Sequence, residues 1–120
     1  MVPAGPVFVG KVSSAYVAAE QPVGVNGWFG RVDHEGEIGV VIGKRAKGVK
    51  AADAMSYVFG YVNFIDGSAR GLPPPGNVFY QMKSRDTFAP IGPYIVTADE
   101  IRDPHKLQVR LWVNGVLKQN

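Results

Sequence analysis

Glycine and proline interrupt this chain so often that its regular elements must be short. They supply fifteen and nine of the 120 residues, and both disfavour the interiors of helices and strands. The segment "GLPPPGN", residues 71–77, carries three consecutive prolines and is predicted to lack regular structure. The pattern therefore predicts short strands joined by many turns.

Apolar patterning between these interruptions favours a mainly β (α+β) fold with one short helix. Ile38–Ile42 is β-branched and predicts a buried strand. A short helix is predicted from Ala51 to a stop at Gly60. Tight turns are predicted at the Asn26-Gly27 and Asn114-Gly115 pairs, the second closing a hairpin. Further strands are predicted over residues 7–9, 61–65, 78–84, 93–99 and 107–113.

Composition narrows the class of protein. The chain is 46% hydrophobic and 19% charged, which is typical of one globular domain. The absence of cysteine excludes disulfides and thiolate metal sites. The net charge is +3, and the basic stretch "GKRAKGVK" lacks interleaved aromatics, so no nucleic acid partner is expected. No apolar stretch approaches the ~18 residues of a membrane span, and no signal peptide is recognisable, so we expect no membrane partner and a cytoplasmic protein.

Two glutamates stand at the start of the apolar, β-branched strand predicted over Ile38–Ile42. Glu35 and Glu37 share one side of that strand, as alternate strand residues do. They are either solvated acids, with Asp33 extending the same face, or ligands of a hard divalent cation. Asp66 follows another apolar strand and precedes Gly67, where it is either a turn-forming residue or a third ligand.

Three other polar side chains are candidates for a function: His34, His105 and Lys83. "HEGE" lacks the second histidine of a zinc signature, and His34 has the opposite parity to the glutamates. We expect both His34 and His105 to be solvated. Lys83 lies among apolar and aromatic residues, where it either extends its ammonium to solvent or presents it to an anionic substrate or enolate.

Four blocks of sequence resemble the fumarylacetoacetate hydrolase family. They are "HEGEIGVVIGKRAKGV", "DAMSYVFGYVNFIDGSARG", "MKSRDTFAPIGPYIVTADEI" and "DPHKLQVRLWVNG". The resemblance implies part of a mixed β-roll of the C-terminal domain type. It also implies a site for Mg²⁺ or Mn²⁺, with Ca²⁺ as a third option, whose ligands are the Glu-x-Glu pair Glu35 and Glu37 together with Asp66.

The same resemblance assigns roles to three basic residues. Lys83 matches the catalytic lysine that contacts the substrate oxyanion. Lys11, in "FVGKVSSAY", and Arg70, in "SARG", match substrate-side residues. The implied activity is that of a metal-dependent hydrolase, decarboxylase or isomerase acting on C–C bonds of 2-oxo or 1,3-dicarbonyl carboxylates such as acylpyruvates. These are small-molecule oxo-acid substrates, and some belong to aromatic compound catabolism.

Departures from the family pattern leave a second function open. A His/Glu dyad and a Gly-Thr-Pro loop of the family are not found in this sequence, and Gly71 stands where an acid often follows the arginine. Residues 1–120 are therefore expected to form a single, truncated domain. It is either active or a catalytically inactive metal-binding remnant serving as a subunit or binding module. Exposed strand edges at Leu107–Val113, with Trp28 and Phe29, predict a homodimer or higher homo-oligomer.

Overall fold

The computed structural model describes residues 4–27, 29–72 and 78–120. Within these ranges the chain is mainly β with short helices, as predicted. The strands are β1 (Tyr16–Ala18), β2 (Arg31–Asp33), β3 (Gly36–Ile42), β4 (Val58–Ile65), β5 (Ser68–Arg70), β6 (Ala89–Ile91), β7 (Val96–Thr97), β8 (Leu111–Val113) and β9 (Val116–Gln119). The α-helix is α1 (Phe79–Lys83), and 3₁₀ turns cover Ser13–Ala15, Ala51–Tyr57 and Pro104–Lys106. None of the helices in these ranges has the length and apolar character needed to cross a membrane.

The chain divides into two compact units, the first containing residues up to Glu35 and Ile65–Pro90. In this unit β2 and β5 pair antiparallel, with Val32 opposite Ala69. Alternation along the strands turns these two apolar residues to one side. Its buried cluster is Ala69, Leu72, Met82 and Phe88, against which Phe29 and Val32 pack.

Gly67 permits a close approach of backbone within the first unit. Its N–H donates to the carbonyl oxygen of Phe88 at 2.9 Å. A Cβ at Gly67 would lie 3.0 Å from that oxygen and 3.0 Å from Cγ of the Phe88 ring. Only glycine fits here without displacing the backbone. The close contact of Gly67 with Phe88 fixes the neighbouring Asp66 relative to the segment that follows α1.

The second unit contains Gly36–Phe64 and the residues from Ile91 onward. Here β3 lies beside β4, and β7 pairs antiparallel with β4, placing Val96 opposite Tyr61. The strand predicted over Ile38–Ile42 forms. The prediction that it is buried is wrong for Val40 and Ile42, which are more than half exposed. Their outward face is uncovered within the described part of this unit.

A tight hairpin joins β8 to β9 in the second unit. Asn114 and Gly115 both adopt positive φ, 50° and 78°, as the predicted two-residue turn requires. The register shifts between Leu111 and Trp112, so Leu111 pairs with Gln119 while Trp112 pairs with Leu117. The hairpin is confirmed, whereas the strand predicted over residues 107–113 is confined to Leu111–Val113.

Three elements differ from the sequence-based prediction. Residues 78–84, predicted as a strand, contain α1; Met82 and Lys83 are both buried, which strand alternation does not allow on a single buried face. Ala51–Tyr57 is a 3₁₀ turn without buried residues, so it has no apolar face to stabilise an α-helix. Residues 7–9 are exposed and form no strand. The prediction for the prolines at 73–75 lies outside the described residues.

Candidate metal centre

Two acids are set side by side by a backbone hydrogen bond in the first unit. Glu35 follows β2, and Asp66 lies between β4 and β5. The Asp66 N–H donates to the carbonyl oxygen of Glu35 at 2.8 Å. Glu37 is two residues beyond Glu35 on the same chain, so it stays close to this pair. Glu35, Glu37 and Asp66 each offer a carboxylate oxygen, and these oxygens lie within 4.8 Å of one another.

Lys83 bridges two of these acids from the C-terminal end of α1. Its Nζ donates to Glu35 Oε2 at 2.8 Å, to Asp66 Oδ2 at 2.5 Å and to Ser68 Oγ at 2.8 Å. Burial lowers the pKa of Lys83, but the hydrogen bonds and negative charges of Asp66 and Glu35 outweigh it, so the pKa lies above its usual value. Lys83 is thus a buried ammonium between carboxylates rather than a side chain extended to solvent.

Arg70 orients Glu35 through a chain of ion pairs that begins on the neighbouring strand. Its guanidinium contacts Glu35 Oε1 at 2.5 Å and Asp33 Oδ2 at 2.9 Å, and Arg31 holds the other oxygen of Asp33 at 2.8 Å. The bond from Arg70 is the main reason that the pKa of Asp33 lies below its usual value. Because β2 pairs with β5, Asp33 fixes the arginine that in turn fixes Glu35.

The ammonium of Lys11 is surrounded by protein oxygens. Nζ donates to the carbonyl oxygens of Lys83, Phe88 and Gly67 at 2.6, 3.0 and 3.3 Å. It also forms an ion pair with Asp66 Oδ1 at 2.7 Å, an oxygen that accepts no hydrogen bond in the described structure. With three N–H donors directed at carbonyls, Lys11 ties the backbone just after Asp66 to the segment that runs from the end of α1 to Phe88.

The structure brings every predicted site residue of the first unit into one cluster. Lys11, Glu35, Asp66, Arg70 and Lys83 are connected by the contacts above. His34 and His105 are exposed, as expected of solvated side chains. Sequence reasoning missed the roles of two further residues. Asp33 had a signal, its shared parity with Glu35, whereas nothing in the sequence marked Ser68, which is fully buried beneath Lys83.

The donor set fits a hard divalent cation. Its ligand atoms are carboxylate oxygens, without nitrogen or sulfur, as Mg²⁺, Mn²⁺ and Ca²⁺ prefer. Asp66 Oδ1 is buried and accepts no hydrogen bond in the described structure, although the Lys11 ammonium lies 2.7 Å from it, so a cation bound at this oxygen would share it with Lys11. Two oxygens on one ion are at most twice the bond length apart, about 4.2 Å for Mg²⁺ and about 5 Å for Ca²⁺. The oxygens of the cluster, which lie within 4.8 Å of one another, are therefore close enough to share one ion.

Similarity to known proteins extends over the whole chain. Residues 1–120 match the family model described as fumarylacetoacetate (FAA) hydrolase C-terminal. The mitochondrial oxaloacetate tautomerase of Xenopus laevis is 41% identical over 121 residues, covering 99% of this chain and 38% of the relative. The chain therefore spans about two fifths of the length of that curated relative.

Solved structures show the same fold. The 2-hydroxyhepta-2,4-diene-1,7-dioate isomerase of Mycobacterium marinum has a TM-score of 0.89 and 38% identity, covering 98% of this chain and 45% of that one. The maleylpyruvate hydrolase of Sphingobium sp. SYK-6, crystallised with manganese(II) and pyruvate, has a TM-score of 0.78 and 39% identity, covering 88% of this chain and 38% of that one. The predicted fold type is confirmed.

Proposed function

Because this chain belongs to the fumarylacetoacetate hydrolase family, we propose that it acts on 2-oxo or 1,3-dicarbonyl carboxylates with a divalent cation. The observation that carries the proposal is the cluster of three carboxylates formed by Glu35, Glu37 and Asp66. The relatives named above are a tautomerase, an isomerase and a hydrolase. Shifting a proton beside a 2-oxo group and breaking an adjacent C–C bond both place negative charge on the same oxygen. One electrostatic site can therefore serve all three kinds of reaction.

The proposed cofactor is Mg²⁺ or Mn²⁺, with Ca²⁺ as the third option, held by Glu35, Glu37 and Asp66. When bound, the ion supplies Lewis acidity to the substrate's 2-oxo group. Manganese in the Sphingobium hydrolase supports this choice. The carboxylates already have a partner in Lys83, whose ammonium touches both Glu35 and Asp66. A cation on those oxygens would compete with Lys83 for them.

Lys83 is the proposed catalytic residue. Displaced from Glu35 and Asp66, its ammonium stays anchored to the buried Ser68 hydroxyl and is free to donate to an oxyanion developing on the substrate. Before an ion binds, the hydrogen bonds and charges of Asp66 and Glu35 raise the pKa of Lys83, so Nζ carries its proton when it is displaced. Lys83 therefore acts as a hydrogen-bond donor and fixed positive charge.

Arg70 and Lys11 have different parts in the proposal. The Arg70 side chain is about one quarter exposed, so it can orient Glu35 and still offer an N–H to a substrate carboxylate. Lys11 is less exposed, 8% by side chain, and its donors face carbonyl oxygens. We assign Lys11 to the substrate side only through Asp66, whose position it fixes.

The remaining elements of the proposal concern partners, location and pathway. We propose a small-molecule oxo-acid substrate, a cytoplasmic location, a place in aromatic compound catabolism and a homodimer or higher homo-oligomer. The uncovered apolar residues Val40, Ile42 and Phe59 support assembly. Phe29 does not, because its ring packs edge-on against Phe88 at 5.8 Å between centroids. Trp28 lies outside the described residues.

Manganese titration of the protein tests this function. At 100 times Kd, a single bound ion stabilises the folded state by about 2.7 kcal/mol, so the melting temperature should rise by about 10 °C. Glu37→Gln should abolish most of this rise, whereas Glu100→Gln, an exposed acid outside the cluster, should not. Turnover of oxaloacetate and an acylpyruvate should then depend on Mn²⁺ and be lost in Glu37→Gln.

Each failure has a different meaning. Metal binding without turnover of any oxo acid would favour the inactive metal-binding subunit, since the cluster would then hold an ion without performing the reaction. Equal melting temperatures with and without Mn²⁺ would refute the metal centre itself.

A further inference from the structure

We propose that Gln119 is a positioning residue for the metal centre, acting through the backbone of Gly36. This inference rests on the proposed function, because it concerns how the Glu-x-Glu pair is held. Gln119 is near the chain's end, in β9, and 83 residues from Gly36. It is not one of the residues that the family resemblance assigns to the site.

The side-chain amide of Gln119 makes two hydrogen bonds to one residue. Its Oε1 accepts from the Gly36 N–H at 2.9 Å, and its Nε2 donates to the Gly36 carbonyl oxygen at 2.6 Å. The first group belongs to the peptide that joins Glu35 to Gly36, and the second to the peptide that joins Gly36 to Glu37. One side chain therefore holds both peptide planes between the two glutamates.

These two hydrogen bonds matter because residue 36 is a glycine. Gly36 has no Cβ to restrict its φ and ψ, so on its own it samples more backbone conformations than any other residue. Each change of these two torsions would turn the Cα–Cβ directions of Glu35 and Glu37 relative to each other. The amide of Gln119 restricts that freedom through bonds to backbone atoms.

Space at Gly36 explains why glycine stands there. A Cβ would lie 3.2 Å from Gln119 Oε1 and 3.1 Å from Leu111 Cδ1. Leu111 is paired with Gln119 across the hairpin, next to the register shift before Trp112. Irregular pairing of this kind commonly redirects a side chain towards a functional site. Glycine at 36 and glutamine at 119 are thus parts of one arrangement.

Substitution of Gln119 by methionine tests the proposal with Mn²⁺ alone as the probe. Methionine keeps the length and approximate volume of the side chain and removes both hydrogen bonds. Gln108→Met makes the same chemical change at an exposed glutamine of the second unit and is the matched control. Mn²⁺ affinity is measured by electron paramagnetic resonance of the free ion, below the melting temperature of every variant.

We expect Gln119→Met to weaken Mn²⁺ binding by about 10- to 100-fold, the range found for residues that orient ligands from outside the coordination sphere. Gln108→Met should bind like the unmodified protein. Gly36→Ala would place a Cβ against the Gln119 amide and should also weaken Mn²⁺ binding. This variant provides a second test if Gln119→Met does not fold.

Unchanged Mn²⁺ affinity in folded Gln119→Met, with only a lower melting temperature, would overturn the inference and leave the metal centre intact. Loss of Mn²⁺ affinity in Gln108→Met to the same extent would also overturn it. If the unmodified protein binds no Mn²⁺, the proposed function fails first and this inference fails with it.

Discussion

Replacing Lys83 by methionine should weaken the folded protein in the absence of metal and strengthen its binding of metal. Lys83 Nζ contacts Glu35 and Asp66 at 2.8 and 2.5 Å, with Asp66 the more buried partner. Removing one member of a buried ion pair typically costs about 3–5 kcal/mol. Because the Glu35 side chain is about one third exposed, solvent screens part of that loss. We therefore expect a decrease of about 3 kcal/mol in the free energy of unfolding.

The metal affinity should change in the opposite direction. A divalent cation on Glu35 and Asp66 must compete with the Lys83 ammonium and is repelled by it. Even at an effective dielectric constant of about 20, one unit charge repels another at 4 Å by about 4 kcal/mol. Relaxation of the ammonium towards Ser68 and solvent reduces this, so we expect Mn²⁺ to bind at least about tenfold more tightly to Lys83→Met.

Two assays separate these effects. Urea denaturation with a chelator gives the stability without metal, and isothermal titration gives the Mn²⁺ affinity. Turnover should be lost although the ion binds, because the donor to the substrate oxyanion is gone. Lys106→Met, at an exposed lysine, is the control and should change neither quantity appreciably. Weaker Mn²⁺ binding by Lys83→Met would refute the competition and show that Lys83 supports the acid group structurally.

Three further substitutions test the framework of the site. Lys11→Met should lower stability by about 3 kcal/mol, because carbonyl oxygens that it now satisfies lose their donor; urea denaturation measures this. Phe88→Ala should cost about 3–5 kcal/mol by emptying the centre of the first unit's core, as the shift in melting temperature will show. Gly115→Ala should cost about 1 kcal/mol, because φ of 78° strains any residue with a Cβ; the same melting experiment applies.

Opposite results would be equally informative. A Lys11→Met protein as stable as the original, but with a raised KM, would place the ammonium on the substrate instead. If Phe88→Ala is as stable as the original protein, Phe88 does not contribute to the stability of the first unit's core. An unaffected Gly115→Ala protein would mean that the hairpin turn contributes little to folding.

Sequence reasoning succeeded where local chemistry decides the structure. The Asn114-Gly115 turn was predictable because few residue pairs tolerate two successive positive φ values. Residues 61–65 of β4 were predictable from their apolar, β-branched and aromatic character, whereas Val58 at the start of β4 was wrongly assigned to the preceding helix. Glu35 and Glu37 were paired on strand alternation, and both offer an oxygen to the acidic cluster, although Glu35 lies just before β3. Each of these inferences needs only residues that are neighbours in the chain.

The predictions from sequence failed where packing between distant parts of the chain decides the local structure. α1 was predicted as a strand because Val78, Phe79 and Tyr80 favour β structure, yet Met82 and Lys83 gain burial only when the segment turns into a helix. β2 and β5 are three residues long and too short to show a period. The missed roles of Asp33 and Ser68 follow, because only the pairing of β2 with β5 brings Asp33 to Arg70.

The surroundings of Lys11 determine when the site can assemble during folding. Its three carbonyl partners lie 56, 72 and 77 residues further along the chain, so closing these loops carries a large entropic cost. Because of that cost, we expect these contacts to form late, after the residues that provide the carbonyls have reached their places. The ammonium should therefore be unbonded in the folding transition state. Loss of Lys11 would then accelerate unfolding while leaving the folding rate almost unchanged, so the lysine would act mainly by prolonging the lifetime of the assembled site.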